Sequence, residues 1–272
     1  MLEINTFFII SFLLFFTGFI SGILAGFFGI GGGIIVVPVI YHLFNFLNFS
    51  ENISMHMAIG TSLATIIPAS YNSLVEHKKR NSVDTSLLNK WKYNIFFGSF
   101  LGALLAQIIS GETLIIFFAF FSLFIAFRTM FTKKYSKKTY KFLKSIQRII
   151  SLLIATISSL LGIGGGTLSV PLLISCGRDI KKAVGTSSGI GFYISLPATF
   201  IFLVAGFGIE NRPQYSFGFI SIIPLILITL GTYVSVPMGV KIMHNFNDLL
   251  VKRFFCVILL ISALKMLNDL QI

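Results

Sequence analysis

The run Gly-Ile-Gly-Gly-Gly occurs twice, as Gly29–Gly33 followed by Pro38 and as Gly162–Gly166 followed by Pro171, each in the middle of a long uncharged apolar stretch. Glycine in that density breaks a helix, because it loses the most backbone freedom on folding and shields its peptide groups the least. In hydrocarbon a helix break leaves amides and carbonyls without partners, which is tolerated only where protein covers the backbone or where it lines a polar cavity. A duplicated break is therefore a candidate permeation site. Paired interrupted segments in corresponding places of two halves are the sequence pointer to the substrate site of a secondary transporter.

The chain is 55% hydrophobic and 11% charged, with a mean hydropathy of +0.91. That is more apolar surface than a soluble domain of 272 residues can bury, so the composition indicates an integral membrane protein. No Asp, Glu, Lys or Arg occurs in Ile4–Ser50, Asn52–Val75, Ile149–Gly177, Ala183–Ile209 or Pro213–Val240. The first run reads as mature protein and not as a signal peptide, since it continues far past a short apolar core without a basic start or a small-residue cleavage site. The net charge of +12 comes from short loops, a pattern that sets membrane orientation and not one that makes a nucleic-acid-binding domain. Cys176 and Cys256 lack metal-ligand spacing and read as small core residues.

The halves match beyond the glycine runs. Ala58-Ile59-Gly60-Thr61-Ser62 pairs with Ala183-Val184-Gly185-Thr186-Ser187, Pro68-Ala69 with Pro197-Ala198, Gly98-Ser99 with Gly231-Thr232, and Ala126-Phe127-Arg128 with Ala263-Leu264-Lys265. The expected fold is an all-α polytopic membrane protein of two repeats, each of about four helical segments beginning with a glycine-broken one. The expected division is a first transmembrane repeat over 1–132, a basic cytoplasmic linker over 133–148 and a second repeat over 149–272.

Each broken segment either crosses as one interrupted helix or reverses as a re-entrant hairpin. In the second half thirteen uncharged residues precede Gly162 and eleven follow Gly166; at about 1.5 Å per residue neither piece spans a core of about 30 Å. Charge favours reversal. If the chain reverses, loops 77–92, 128–148, 178–182 and 241–253 lie on one face and hold 19 of the 21 Lys and Arg, against a division of 15 to 6 if it crosses. Reversal also inverts the second repeat relative to the first, which suits alternating access.

The two glycine breaks each followed by Pro, the two Gly-Thr-Ser segments and the loop His77-Lys78-Lys79-Arg80-Asn81-Ser82-Val83-Asp84 resemble the sulfite exporter TauE/SafE family of membrane transporters. The resemblance covers nearly the whole chain and implies a secondary carrier of the cytoplasmic membrane, multi-pass, for small sulfur-containing anions such as sulfite, sulfoacetate or other organosulfonates. Many members carry Gly where this chain has Asn81, a departure confined to a turn.

The substrate-binding candidates are Gly29, Gly31, Gly32, Gly33, Gly162, Gly164, Gly165 and Gly166, whose consecutive spacing is poorly explained by the every-fourth-residue pattern of helix packing. Amides freed from a helix can point at an oxyanion, and a half-helix N-terminus adds positive potential. Thr61, Ser62, Thr186 and Ser187 offer hydroxyls to a sulfonate or sulfite oxygen, with back-bonding to a helix carbonyl as the competing reading. Asn72 and Ser73 are weaker candidates, and Pro38 and Pro171 read as part of each helix break. Arg128 and Lys265 lie near helix ends and read as snorkelling cations, Glu112 as a solvated turn residue, and His42, His56 and His77 as interfacial.

The expected partners are the anion and the lipid bilayer, including anionic head groups along Lys133–Lys144; no cofactor and no metal is expected, and a homo-oligomer is left open. An enzyme is disfavoured, since the chain has no HExxH, no nucleotide-binding loop and no nucleophile with its base. The alternatives are an anion channel built from the same paired hairpins and a non-transporting membrane assembly subunit.

Overall fold

A computed structural model describes residues 4–131, 144–245 and 249–269. Among them the chain forms α1 (Ile4–Phe28), α2 (Gly33–Phe46), α3 (Glu51–Lys79), α4 (Thr85–Ile108), α5 (Gly111–Phe131), α6 (Lys144–Leu160), α7 (Gly166–Ser175), α8 (Ile180–Ala205), α9 (Ile222–Asn245) and α10 (Leu249–Asp269). The architecture is helical as expected, with one addition. The α8–α9 connection folds into a small antiparallel hairpin, β1 (Ser216–Phe217) and β2 (Ile220–Ser221), which pairs Ser216 with Ser221 and Phe217 with Ile220. Of the linker 133–148, residues 133–143 lie outside the described residues, and α6 already begins at Lys144.

Among the described residues five helices are long and apolar enough to cross a bilayer: Asn5–Phe28, Glu51–Lys79, Gly111–Arg128, Ile180–Ala205 and Ile222–His244. Large apolar side chains such as Phe8, Phe12, Phe97 and Phe120 stand exposed on the outside of the bundle, a surface suited to hydrocarbon. The most enclosed long helix is α3. Ser50 caps it by accepting from the Ile53 amide, Glu51 lies in its first turn, and His77, Lys78 and Lys79 lie in its last, so charge complements the helix dipole at both ends. Asp84 and Asp179 cap α4 and α8 in the same way, accepting from the amides of Leu87 and Lys182.

Glycine spacing sets two tight helix pairs. Along α1, a Cβ on Gly18, Gly22 or Gly26 would collide with the backbone of α9 at Ile228, Thr232 and Val236 in turn, so α1 and α9 run parallel at small-residue distance. Gly98 and Gly102 of α4 likewise lie on Leu152 and Thr156 of α6, while the Asn94 side chain donates to the Arg148 carbonyl, so this pair is parallel too. In contrast α3 and α8 are antiparallel, with Ser73 on Ser188 and Gly60 against Phe202. The end of α1 lies at the end of α3, where the Ser73 hydroxyl donates to the Ala25 carbonyl and His77 Nε2 meets the Gly26 carbonyl. With α1 and α3 pointing the same way, α2 between them must run back.

The basic connections gather at one end of the bundle. Arg178 pairs with Asp84 at 2.7 Å, Lys181 Nζ reaches the His244 carbonyl at 3.5 Å, and Arg148 lies beside Asn94. At the opposite end the Gly111 amide donates to Asn52 Oδ1, and Asp269 pairs with His42 and with Asn45.

Candidate functional site

Each glycine run ends a helix by entering the left-handed region. Gly29, Gly31 and Gly32 have φ of 68°, 69° and 81°, and Gly162 has 69°, conformations that cost an L-residue with a side chain roughly 1–2 kcal/mol. The chain then doubles back: the Ser21 hydroxyl donates to the carbonyl of Gly32, eleven residues on, at 3.2 Å. Pro38 and Pro171 play a different part from the one expected. They lie inside α2 and α7, which continue through them. The reversal is made by the glycines, and a proline within a short half-helix forfeits one hydrogen bond without ending it.

The two breaks touch. A Cβ on Gly33 would lie 2.4 Å from the Gly162 carbonyl oxygen, one on Gly166 2.4 Å from the Gly29 carbonyl oxygen, and one on Gly164 1.9 Å from that of Ile30. No residue with a side chain fits at these crossings. Two hydroxyls lock them reciprocally: Ser62 Oγ donates to the Gly162 carbonyl at 2.8 Å, and Ser187 Oγ donates to the Gly29 carbonyl at 3.0 Å. A third hydroxyl, Ser169, stands 2.9 Å from Ser187.

The junction also leaves donors unused. Among the described residues the amides of Gly31, Gly32 and Gly33, and those of Gly164, Gly165 and Gly166, find no acceptor. They open α2 and α7, so two helix N-termini, each with its share of positive dipole, converge on one place. Ser70 of α3 is fully buried and its hydroxyl has no partner; it lies 2.9 Å from where a Cβ would stand on Gly31 and equally far from one on Gly191, beside the Gly165 backbone. Thr167, next to Gly166, is a second buried hydroxyl without a partner. Such groups cost free energy unless something accepts their protons. The arrangement can receive a small oxyanion through neutral donors.

The family model for sulfite exporter TauE/SafE matches residues 14–266. This chain belongs to that family. A probable membrane transporter protein of Haemophilus influenzae is 30% identical over 250 residues, covering 92% of this chain and 95% of that one. Another, of Methanocaldococcus jannaschii, is 27% identical over 266 residues and 94% of each chain, and the probable membrane transporter protein YunE of Bacillus subtilis is 26% identical over 70% of this chain and 77% of its own. No solved structure matches. This TauE/SafE member is thus a multi-pass membrane transporter by family and by its apolar helices.

Within this family member the sequence candidates separate into four groups. Gly29, Gly31, Gly33, Gly162, Gly164, Gly165, Gly166, Ser62 and Ser187 meet at the junction. Gly32 sits on its far side, where a Cβ would strike Ser21 Oγ. Thr61 and Thr186 face away and accept from the amides of Ser221 and Asp84, both at 2.9 Å, so each pins a connection at one end of the bundle. Asn72 and Ser73 are occupied in packing, on the carbonyls of Tyr233 and Ala25. Ser70 and Thr167 were not singled out by the sequence. Thr167 adjoins a glycine run and could have been, whereas Ser70 looks like any serine of an apolar helix. Asn81, in place of a family glycine, has φ 53°, a region that asparagine enters more readily than other side chains.

Proposed function

We propose that this chain is a secondary carrier of small sulfur-containing anions, sulfite or an organosulfonate such as sulfoacetate, across the cytoplasmic membrane by alternating access. The observation that carries the proposal is the meeting of two glycine breaks with free amides and the free buried hydroxyl of Ser70 on α3. The halves act as inverted repeats, 1–132 and 149–272. Supporting this, contacts exchange between the halves: α1 on α9 answers α6 on α4, Ser62 on Gly162 answers Ser187 on Gly29, and Thr61 on Ser221 answers Thr186 on Asp84. The paired helices α1 and α6, and α3 and α8, point in opposite directions. One hairpin then enters from each face, and rocking of one repeat against the other exposes the junction alternately.

Two measurements follow from this reading. With the basic ends cytoplasmic, a cysteine replacing exposed Lys182, in a background without Cys176 and Cys256, is shielded from an impermeant thiol reagent in intact cells, while Glu210→Cys reacts. The reverse labelling would remove the orientation. In proteoliposomes, sulfite or sulfoacetate flux saturates and shows counterflow, and chloride at equal concentration does not compete. Each junction donor left unpaired by the wrong ligand costs about 1–3 kcal/mol, so two of them give a preference from about thirtyfold to about ten-thousandfold. Flux that never saturates, or chloride permeation equal to sulfite flux, would instead indicate a channel.

A further inference from the structure

His56 lies in the second turn of α3 and is only 4% exposed. It forms part of the wall of a cavity of about 530 Å³ at the end of the bundle away from the basic loops, shared with Glu51, Asn52, Gln107, Glu112 and Phe219. Its Nδ1 stands 2.7 Å from the carbonyl oxygen of Asn52, and its Nε2 stands 2.9 Å from that of Ala106. Both partners are acceptors only. A neutral imidazole has one N–H and one lone pair, so it would set a nitrogen lone pair against a carbonyl lone pair on one side of the ring. The imidazolium donates to both.

The surroundings suit that cation. Ala106 lies in the last turn of α4, whose carbonyls have no intrahelical donor and carry the negative end of the dipole. Glu51 of α3 and Glu112 of α5 line the same cavity. From the α8–α9 connection the Phe219 ring lies 5.3 Å from the imidazole, and Arg212 donates to the carbonyls of Gly218 and of Ile209, which lines the same cavity. Gln107, the remaining polar group on α4, is neutral and donates to the Ala103 carbonyl.

Resting on the carrier reading, we propose that His56 is the proton-binding site that couples anion movement to a proton gradient. Bound proton completes two N–H donors and ties α3 to the end of α4. Release of H⁺ to cavity water leaves a neutral ring with one donor and breaks one of the two ties. The consequence reaches the anion site through α3 itself: Gly60 lies against the Phe219 carbonyl, Thr61 holds the Ser221 amide and Ser62 holds Gly162 of the second break.

Two experiments test this. In the wild-type protein, with ¹⁵N-labelled histidine in lipid nanodiscs, the His56 ring, assigned by its correlations to the sequentially assigned backbone, carries a proton on both nitrogens in the transport buffer; a ring with one bare nitrogen overturns the proposal even if the variant does not fold. In proteoliposomes with sulfoacetate, a dianion, and with the membrane potential clamped at zero, a pH difference of about one unit drives about tenfold accumulation for one proton per anion. His56→Gln loses that accumulation and only equilibrates the anion. Accumulation by the variant equal to wild type overturns the coupling, whereas absence of any sulfite or sulfoacetate flux in the wild type removes the carrier reading and leaves the spectrum to decide the charge of His56.

Discussion

Replacing Gly164 by alanine is expected to leave little folded protein. The added methyl would lie 1.9 Å from the Ile30 carbonyl oxygen and 2.6 Å from its carbon. These are backbone atoms of the other break and have no rotamer to escape into. Overpacking a well-filled interior costs about 1–3 kcal/mol and more where backbone must move; here the movement would separate the two breaks and strain the bonds that Ser62 and Ser187 make across them. Two controls isolate the cause. Gly165 has φ of −57°, and a Cβ there meets side-chain methyls of Ile194 and Ile190 at 2.7 and 2.8 Å with the nearest backbone atom, Gly191 N, at 3.7 Å, so Gly165→Ala costs less than Gly164→Ala and keeps its fold. Gly208 has φ of 81° with nothing within 4 Å, so Gly208→Ala costs only the left-handed backbone penalty of roughly 1–2 kcal/mol. Thermal unfolding in detergent, followed by size exclusion, ranks the three. A Gly164→Ala protein that melts with the wild type would mean that the breaks do not touch.

Much of this fold was legible because hydrocarbon leaves few choices. The uncharged runs gave the apolar helices, and the doubled Gly-Ile-Gly-Gly-Gly located both breaks to the residue, since glycine enters without steric cost the φ values found at Gly29, Gly31, Gly32 and Gly162. The contact between the breaks was not legible. Gly33 and Gly162 are far apart in the chain, and no local periodicity encodes which carbonyl a buried glycine will face.

The polar residues show the same division. Matched placement singled out Thr61 and Thr186 together with Ser62 and Ser187, but adjacent residues on a helix point about 100° apart, and only the serines reach the junction. His56 is intermediate. A bond from its ring to the Asn52 carbonyl one turn back can be read from the sequence, whereas the Ala106 carbonyl, fifty residues on, which turns an interfacial histidine into one with two acceptors, appears only in the folded chain. Pro38 and Pro171 misled because proline near glycines reads as part of a break, although in α2 and α7 it removes a single donor.

Ser70→Ala has the second large effect, and it falls on binding alone. The hydroxyl is fully buried with no partner, so the unliganded protein loses no hydrogen bond with it and should melt at or slightly above the wild-type temperature. A donor to a charged ligand is worth about 1.5–3 kcal/mol, so removing it should weaken sulfite about tenfold to a hundredfold or more. The decisive measurement is the rise in melting temperature with sulfite concentration for purified wild type and Ser70→Ala side by side. Anion binding at the junction of the glycine breaks predicts a variant with an unchanged baseline whose stabilisation requires at least about tenfold more sulfite; equal stabilisation of the two proteins at every concentration would place the anion elsewhere and contradict the account.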